Sequence, residues 1–442
     1  MSRTNDNHVF RLATSEIIVY TNVILYAMAY QLNRPLEVYL VSEIVGNHTD
    51  TDFSDTYANL QSWFSLLQTI GALICGIFLD RVGYKYGCIL IFISSACSYY
   101  ILSISTSISL LYLSKIPTIL QHGYLASQKV ICDTVPEGND RVVALGRLVV
   151  SYQIGLTIGP YLGSKISSYW VDRAHGYYFV GKVAAVISIF QALLSLLLPN
   201  KTIEKRESSI TSPQSQQIEI VDAKDSIFEK VYSIFKLVGV LLCTKIISGT
   251  ANSITATTFP LILKDHFNLN EEESGIIYTA ISFTNAISNL FLLSPLINFF
   301  DNDYNFAIAS SLQFIAICSL LQGFCFILPS APTLFGFLGL SIIYTIFQYL
   351  LATAITTDST RRVKSSSTGL LLSIEHSLFA LARVFAPQLA VFLLKAYGPS
   401  SPSFVVSCIY LIMLVISSYL SNHYLNNRVF SKNIIPSETK EM

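Results

Sequence analysis

Lys115, His122, Lys129 and Asp133 recur along one apolar stretch at intervals of seven, seven and four residues. On a continuous helix those steps keep all four within about 40° of one another, as a single polar stripe. A lysine there suits an anionic group or a coupling carboxylate, and His122 titrates close enough to neutrality to carry a proton. The plainer alternative is that Lys115 pairs with an acid on another helix while His122 donates a hydrogen bond. Lys129 and Asp133, nearer the end of the stretch, fit a network with Arg81 and Lys85. A second, weaker stripe is Lys245, Ser248, Asn252 and Thr255 at i, i+3, i+7 and i+10. Asn22, Tyr26 and Tyr30 follow one another at four-residue steps and suit packing as well as ligand contact. Glu375 is the deepest acid, about ten residues or roughly 15 Å into its apolar stretch. Burial there suits a proton carrier, but His376 and Arg383 lie within about 100° of it, which allows a structural Glu–Arg–His cluster instead.

What must position these groups follows from how little charge surrounds them. Of the 442 residues 13% are charged and 52% apolar, against roughly 25% charged in soluble domains. Between Asp303 and Asp358 lie 54 residues without Asp, Glu, Lys or Arg. One span needs about 20 mostly apolar residues, so this gap holds two, folded back near Pro329 and Pro332. Lipid offers backbone groups no partners, and these long runs lack two-residue alternation, so they read as helices rather than barrel strands. The expected class is an all-α membrane protein. The zero net charge gives no bias towards nucleic acid. The eight cysteines show no CxxC spacing and read as small packing residues; no metal site and no cofactor is expected.

Twelve spans are predicted, at 14–34, 59–79, 87–107, 109–131, 142–168, 177–198, 237–261, 274–297, 305–327, 332–356, 366–395 and 402–422. An even count leaves both termini on one side. The N-terminus, the turns at 80–86, 132–141 and 357–365, the polar segment 199–236 and the C-terminal tail hold most of the Lys and Arg, so they are expected in the cytoplasm. The sequon at Asn47 then falls outside, as a glycosylation candidate. Residues 1–13 show no cleavage pattern, so the first span is expected to stay. The organisation reads as a six-helix half at 1–198, a flexible linker at 199–236, a second half at 237–425 and a tail at 426–442. Asp133 and Asp358, and then Gly159-Pro160 and Ala386-Pro387, repeat at an offset of 225 to 227 residues, the mark of two parallel repeats with a site between them.

The turn after the second span reads Gly76-Ile77-Phe78-Leu79-Asp80-Arg81-Val82-Gly83-Tyr84-Lys85. It resembles the G-x-x-x-D-R-x-G-x-[RK] signature of the major facilitator superfamily. The fifth span carries Gly155, Gly159, Pro160 and Gly163, similar to the g-x-x-x-G-P-x-x-G motif of that superfamily's drug:proton antiporters, with Ser164 where a further glycine is usual. Small residues at this spacing equally make a helix-packing seam. Ser114-Lys115-Ile116-Pro117, His122, Gln128 to Asp133 and Ala144 to Arg147 resemble the organic cation transporter-like members of the tetracycline-resistance-like branch. The resemblance implies the major facilitator fold, twelve helices in two pseudo-symmetric bundles. It also implies Asp80 latched against the start of the eleventh span, and cavity-lining fourth and seventh spans.

A monomeric, multi-pass secondary transporter is therefore expected, with protons as coupling ion and organic cations or drug-like solutes as cargo. Neither the plasma membrane nor an endomembrane is favoured. Three basic groups in the spans, Lys115, Lys245 and Arg383, against one deep acid argue for an anionic or zwitterionic solute. A non-transporting receptor or scaffold of the same fold is the rival. No GxxxxGK[ST], HExxH or GxSxG occurs in the spans, so neither ATP-driven pumping nor an enzyme is expected.

Overall fold

The computed structural model describes residues 2–46, 52–135, 139–199, 227–288, 304–327, 333–363 and 368–432, with 291 and 295. Asn47, residues 200–226 of the expected linker, and residues 364–367, which include the first two of the eleventh span, lie outside these. The first half holds α1 (Ser2–Asn33), α2 (Glu37–Gly46), α3 (Phe53–Val82), α4 (Tyr84–Leu102), α5 (Ile108–Lys115), α6 (Gly123–Thr134), α7 (Asn139–Ser168) and α8 (Arg173–Ser195). The second holds α9 (Ile227–Leu261), α10 (Glu271–Ile287), α11 (Tyr304–Phe324), α12 (Thr333–Arg362), α13 (Thr368–Tyr397) and α14 (Ser401–Lys432). Every predicted span coincides with helix among the described residues. Six stretches are long and apolar enough to cross a membrane on length and composition alone: Tyr84–Leu102, Arg173–Ser195, Val231–His266, Tyr304–Phe324, Leu334–Arg362 and Ser377–Tyr397. Helices α1, α3 and α7 carry more polar residues and bury several of them between helices, among them Asn22, Ser62 and Gln153.

Local chemistry sets the ends. Asp52 caps α3 through Ser54 N at 2.8 Å, and Asp172 caps α8 through Ala174 N at 3.1 Å. Asn270 and Glu273 form a reciprocal capping box at the start of α10, satisfying two amides that the first helical turn leaves open. Gly83 alone separates α3 from α4, at φ 84°, a left-handed conformation that costs glycine nothing.

The helices sort into two bundles. In the first, α1 packs on α7 and α8, and α4 on α8; in the second, α9 packs on α13 and α14, and α11 on α12 and α14. Each bundle has its own apolar core, one around Val23, Phe92, Ile131 and Leu148, the other around Leu242, Ile254, Leu312 and Tyr410. Two seams join them, α3 against α13 and α7 against α10. Counted as spans, these are second with eleventh and fifth with eighth, and adding six to each member turns one pair into the other. The seams are thus equivalent under the two-fold repeat read from the sequence. A third core, containing Val38, Tyr57 and Tyr177, also takes in Leu261 and Val391 of the second bundle, so apolar packing is continuous between the bundles at the end that carries α2.

Two features depart from expectation. The segment after the first span is not all loop, because α2 folds back onto α3, α5 and α8 with Val38, Leu40, Val41, Ile44 and Val45 buried. The fourth span is not one helix. It passes from α5 into a 3-10 turn, Ile116–Leu120, breaks at Gln121 and His122, and resumes as α6. Pro117 at the head of the 3-10 turn has no amide to donate and disfavours continuation of the helix.

Candidate functional site

The break in the fourth span decides where its polar residues face. Non-helical backbone at membrane depth persists only where protein satisfies it, and here neighbouring side chains do so. Ser98 Oγ donates to Ser114 O at 2.7 Å, Gln68 Nε2 to Thr118 O at 2.7 Å and Tyr26 OH to Gln121 O at 2.8 Å. Tyr26, expected on a ligand face, therefore closes the break, with its ring against Gly123. Lys115 and His122 no longer share the stripe, because helical arithmetic fails across residues 116–122. Lys115 enters a cavity between the bundles, whereas His122 Nε2 lies where a Cβ on Gly71 of α3 would sit, 2.8 Å away. Lys129 and Asp133 form an i,i+4 pair at 3.5 Å within α6.

That cavity, about 200 Å³, lies between α1, α3, α4 and α5 of one bundle and α9 and α13 of the other. Tyr30, Arg34, Glu37, Tyr57, Phe64, Tyr99 and Lys115 line it from the first, and Asn252, Thr257, Phe379 and Arg383 from the second. Lys115 is ion-paired with Glu37, and its ammonium lies 5.6 Å from the Phe64 ring centre. The other oxygen of Glu37 accepts from Gln61 Nε2 at 3.0 Å. Arg34 lies over the Tyr30 ring at 5.9 Å, and that ring stacks on Phe64. Three basic side chains and one acid thus line the cavity, and the acid is already engaged.

Arg34 and Glu37 are the residues that sequence reasoning missed. Arg34 ends the first predicted span and Glu37 falls in the segment between the first two spans, which the run Val38-Tyr39-Leu40-Val41 could have marked as buried. Asn22 is not in the cavity. Its side-chain amide donates to Ser195 Oγ at 3.1 Å, and its backbone carbonyl accepts from Gln191 Nε2 at 2.7 Å. Each four-residue step turns about 40° further round the helix, which carries Asn22 onto α8 while Tyr30 stays at the opening.

Glu375 and Lys245 meet elsewhere. Glu375 is 2% exposed, ion-paired with Lys245 and accepting from Ser359 Oγ at 2.7 Å, while Lys245 Nζ donates to Thr356 Oγ1 at 2.8 Å. Arg383, eight residues or about 12 Å further along α13, belongs to the cavity and not to a cluster with Glu375. The His376 side chain lies outside the described residues.

The ion pairs joining the two bundles gather at the α2 end. Lys165 of α7 reaches Glu272 of α10 at 2.7 Å, and Lys395 of α13 reaches Asp52 and Asp55 at 2.8 and 2.6 Å. Arg173 and Glu271 are 3.7 Å apart. Tyr39 OH donates to Leu269 O and shares a bond with Ser274 Oγ, both at 2.7 Å. The hydrogen bond from Lys165, aided by its charge, holds the Glu272 carboxyl below the usual range.

The motif residues divide. Gly155, Gly159 and Gly163 press α7 onto α1, where added Cβ atoms would lie 2.2 Å from Ile24 O, 2.6 Å from Gln31 Cβ and 2.1 Å from Leu32 O. Pro160 stands within the same helix. Arg81 is exposed beside Gly83, and Lys85 is half-buried in the first turn of α4. Gly76 and Asp80 sit in α3, but their side chains, like the segment expected to receive Asp80, lie outside the described residues.

A family model described as Major Facilitator Superfamily matches residues 18–240 and 241–436. The chain is 27% identical over 365 residues to mouse solute carrier family 22 member 18, covering 78% of this chain and 82% of that protein. It is 23% identical over 280 residues to the class B tetracycline resistance protein of Escherichia coli, covering 63% and 65%. The crystal structure of the human organic anion transporter MFSD10 (TETRAN) superposes with a TM-score of 0.64 at 18% identity, covering 92% of this chain and 99% of that one.

Proposed function

The chain belongs to the major facilitator superfamily, and from that premise we propose a secondary transporter that moves small organic anions through a membrane by alternating access. The observation that carries this is the cavity's charge, with Arg34, Lys115 and Arg383 facing one carboxylate, Glu37, that Lys115 already occupies. A cationic solute there would meet net positive charge in a low-dielectric interior, where like charges a few ångströms apart repel by several kcal/mol. An anionic one would find two guanidinium forks and the faces of Tyr30 and Phe64. That the human protein of similar fold is an organic anion transporter agrees with this reading. The organic cations suggested by the antiporter-like motif fit less well, and the contacts of Gly155, Gly159 and Gly163 account for that motif as a packing seam.

The α2 end, shut by apolar packing and ion pairs, is the proposed extracytoplasmic side, following the distribution of Lys and Arg. The segment 199–236 is the proposed flexible joint between the halves. Protons are the proposed coupling ion, since Glu37 at the cavity and Glu375 within the second bundle are each held against a lysine.

Uptake into proteoliposomes tests the reading. Benzenesulfonate, a permanently charged aromatic anion, should enter, and tetraethylammonium should not. Arg34→Ala and Arg383→Ala should each lower anion uptake about tenfold or more, the loss of roughly 1.4 kcal/mol or more of binding. Uptake of the cation alone, or anion uptake indifferent to both arginines, would reject it.

A further inference from the structure

We propose that Glu37 and Lys115 form a shared proton-and-anion site that couples one proton to each anion carried, in the same direction. The proposal rests on the anion reading above. Lys115 has one ammonium and, in the empty cavity, spends it on Glu37. An arriving sulfonate or carboxylate competes for that ammonium and brings a second negative charge beside Glu37. The conflict is relieved when Glu37 takes a proton onto its carboxylate oxygen. Glu37 then stays as a neutral acid hydrogen-bonded to Gln61, while Lys115 turns to the anion. The proton comes from hydronium, where one O–H bond breaks to leave water as one forms on Glu37, so one proton and one negative charge enter together.

The surroundings favour this exchange at Glu37. The groups facing it are Lys115 from α5, Gln61 and Tyr57 from α3, Tyr99 from α4 and Arg34 from the turn before α2, with Arg383 across the cavity. On α8, Tyr177 and Tyr178 lie towards Glu43 instead. Among the described residues Lys115 is the only cation ion-paired with Glu37, so the carboxylate's charge has one owner to release. Glu375 is also held by one lysine, Lys245, but with Thr356 and Ser359 beside it the pair lies away from the cavity lining, where an arriving anion does not reach it. Binding of proton and anion is therefore mutually reinforcing, and by linkage each raises the other's affinity by the same factor. Because the favoured loaded state holds both, both cross together. This differs from the exchange of a solute against a proton that the motif resemblance implies.

The test uses the purified full-length chain and benzenesulfonate, which stays charged at every working pH, so any proton moved belongs to the protein. In weakly buffered detergent solution, an indicator dye should record uptake of about one proton per anion bound, and affinity should fall up to about tenfold per pH unit on the alkaline side. Glu37→Gln should bind the anion with no proton uptake and less than about a twofold change per pH unit. Glu37→Asp, which keeps the acid, should restore coupling and controls for folding. In proteoliposomes an inward proton gradient should accumulate benzenesulfonate through the native chain but not through Glu37→Gln. Proton uptake that survives in Glu37→Gln, or native binding that is independent of pH, overturns the coupling while leaving the anion reading intact. Native protein that binds no benzenesulfonate at either acidic or neutral pH overturns the anion reading itself, and the coupling with it.

Discussion

Replacing Lys245 by Met tests the buried pair in the second bundle with a magnitude fixed in advance. The substitution keeps the aliphatic stem but leaves Glu375, 2% exposed, with the Ser359 hydroxyl as its remaining donor among the described contacts. Removing one partner of a buried pair costs about 3–5 kcal/mol. The carboxyl has an escape, since it can enter the folded protein protonated. For an ordinary glutamate with its midpoint near 4.3, that costs about 1.4 kcal/mol per pH unit above the midpoint, or about 3.7 kcal/mol at pH 7. The cost should thus be capped near 3.7 kcal/mol at pH 7 and shrink to about 2.3 at pH 6. The sign follows because the folded variant holds a proton that the unfolded chain releases, so its stability rises as pH falls. A double-mutant cycle of Lys245→Met, Glu375→Leu and the pair, read by denaturant unfolding of the purified protein, isolates the interaction. The double variant should recover most of the loss, because well-packed apolar side chains replace buried ion pairs at little cost. A single variant that loses less than about 0.5 kcal/mol, or a loss that does not change between pH 7 and pH 6, would refute the pair's burial and its charge.

The seams supply the remaining predictions. Lys395→Ala releases Asp52 and Asp55; because all three are substantially exposed, stability should change by no more than about 1 kcal/mol. The opening of the α2 end should rise by a factor of about two to five, read as faster labelling of a cysteine placed at Ser62. The Lys165–Glu272 tie, whose carboxyl is held below its ordinary value, should persist at neutral pH and weaken only as pH falls through that lowered value; labelling that changes instead between pH 6 and pH 8 would exclude it as the cause. Gln388 and Ser62 face one another across α3 and α13, with the amide nitrogen 3.0 Å from Ser62 Oγ. A Ser62→Cys, Gln388→Cys pair should crosslink under mild oxidation, stop transport and recover it on reduction. Gly163→Ala, whose Cβ would meet Leu32 O at 2.1 Å, should cost about 1–3 kcal/mol, whereas Gly146→Ala, with nothing within 4 Å, should be neutral or stabilising by up to about 1 kcal/mol, both by thermal unfolding.

What the sequence made legible follows from which signals are local. Long charge-poor runs report spans directly, so the described residues of each of the twelve are mainly helical, the fourth with a break at Gln121 and His122. Lys115, Asn252 and Arg383 were found because an ionisable or amide group inside an apolar run must face protein or a cavity. Arg34 and Glu37 were missed because α2, with ten residues, is too short to register as a span, and Glu37 is its first residue while Arg34 lies in the turn just before it. The single stripe through Lys115, His122, Lys129 and Asp133 failed for a reason present in the sequence, Pro117, whose lost amide breaks the helical phase. Asn22 was misplaced by the drift of four-residue steps, and the alternative that grouped Glu375 with Arg383 gives way to Lys245 because contacts between helices outrank those along one.

The two-fold equivalence of the seams constrains how the molecule can move. If α3 with α13 and α7 with α10 are images of one another, an opening that separates one pair at the α2 end must separate the other by symmetry. Lys395 with its two aspartates and Lys165 with Glu272 then act as matched latches at that end. The cavity lies just inside them, and its residues come from both bundles, Arg34 and Lys115 from one and Arg383 from the other. On the proposed anion reading, an anion bridging these cations would draw the bundles together in the middle, where net positive charge otherwise holds them apart. Because the latches are exposed and individually weak, whereas the cavity charges are enclosed and interact more strongly, occupancy of the cavity has the greater leverage on the rocking equilibrium. Substrate charge and conformational change are thereby tied to the same few side chains.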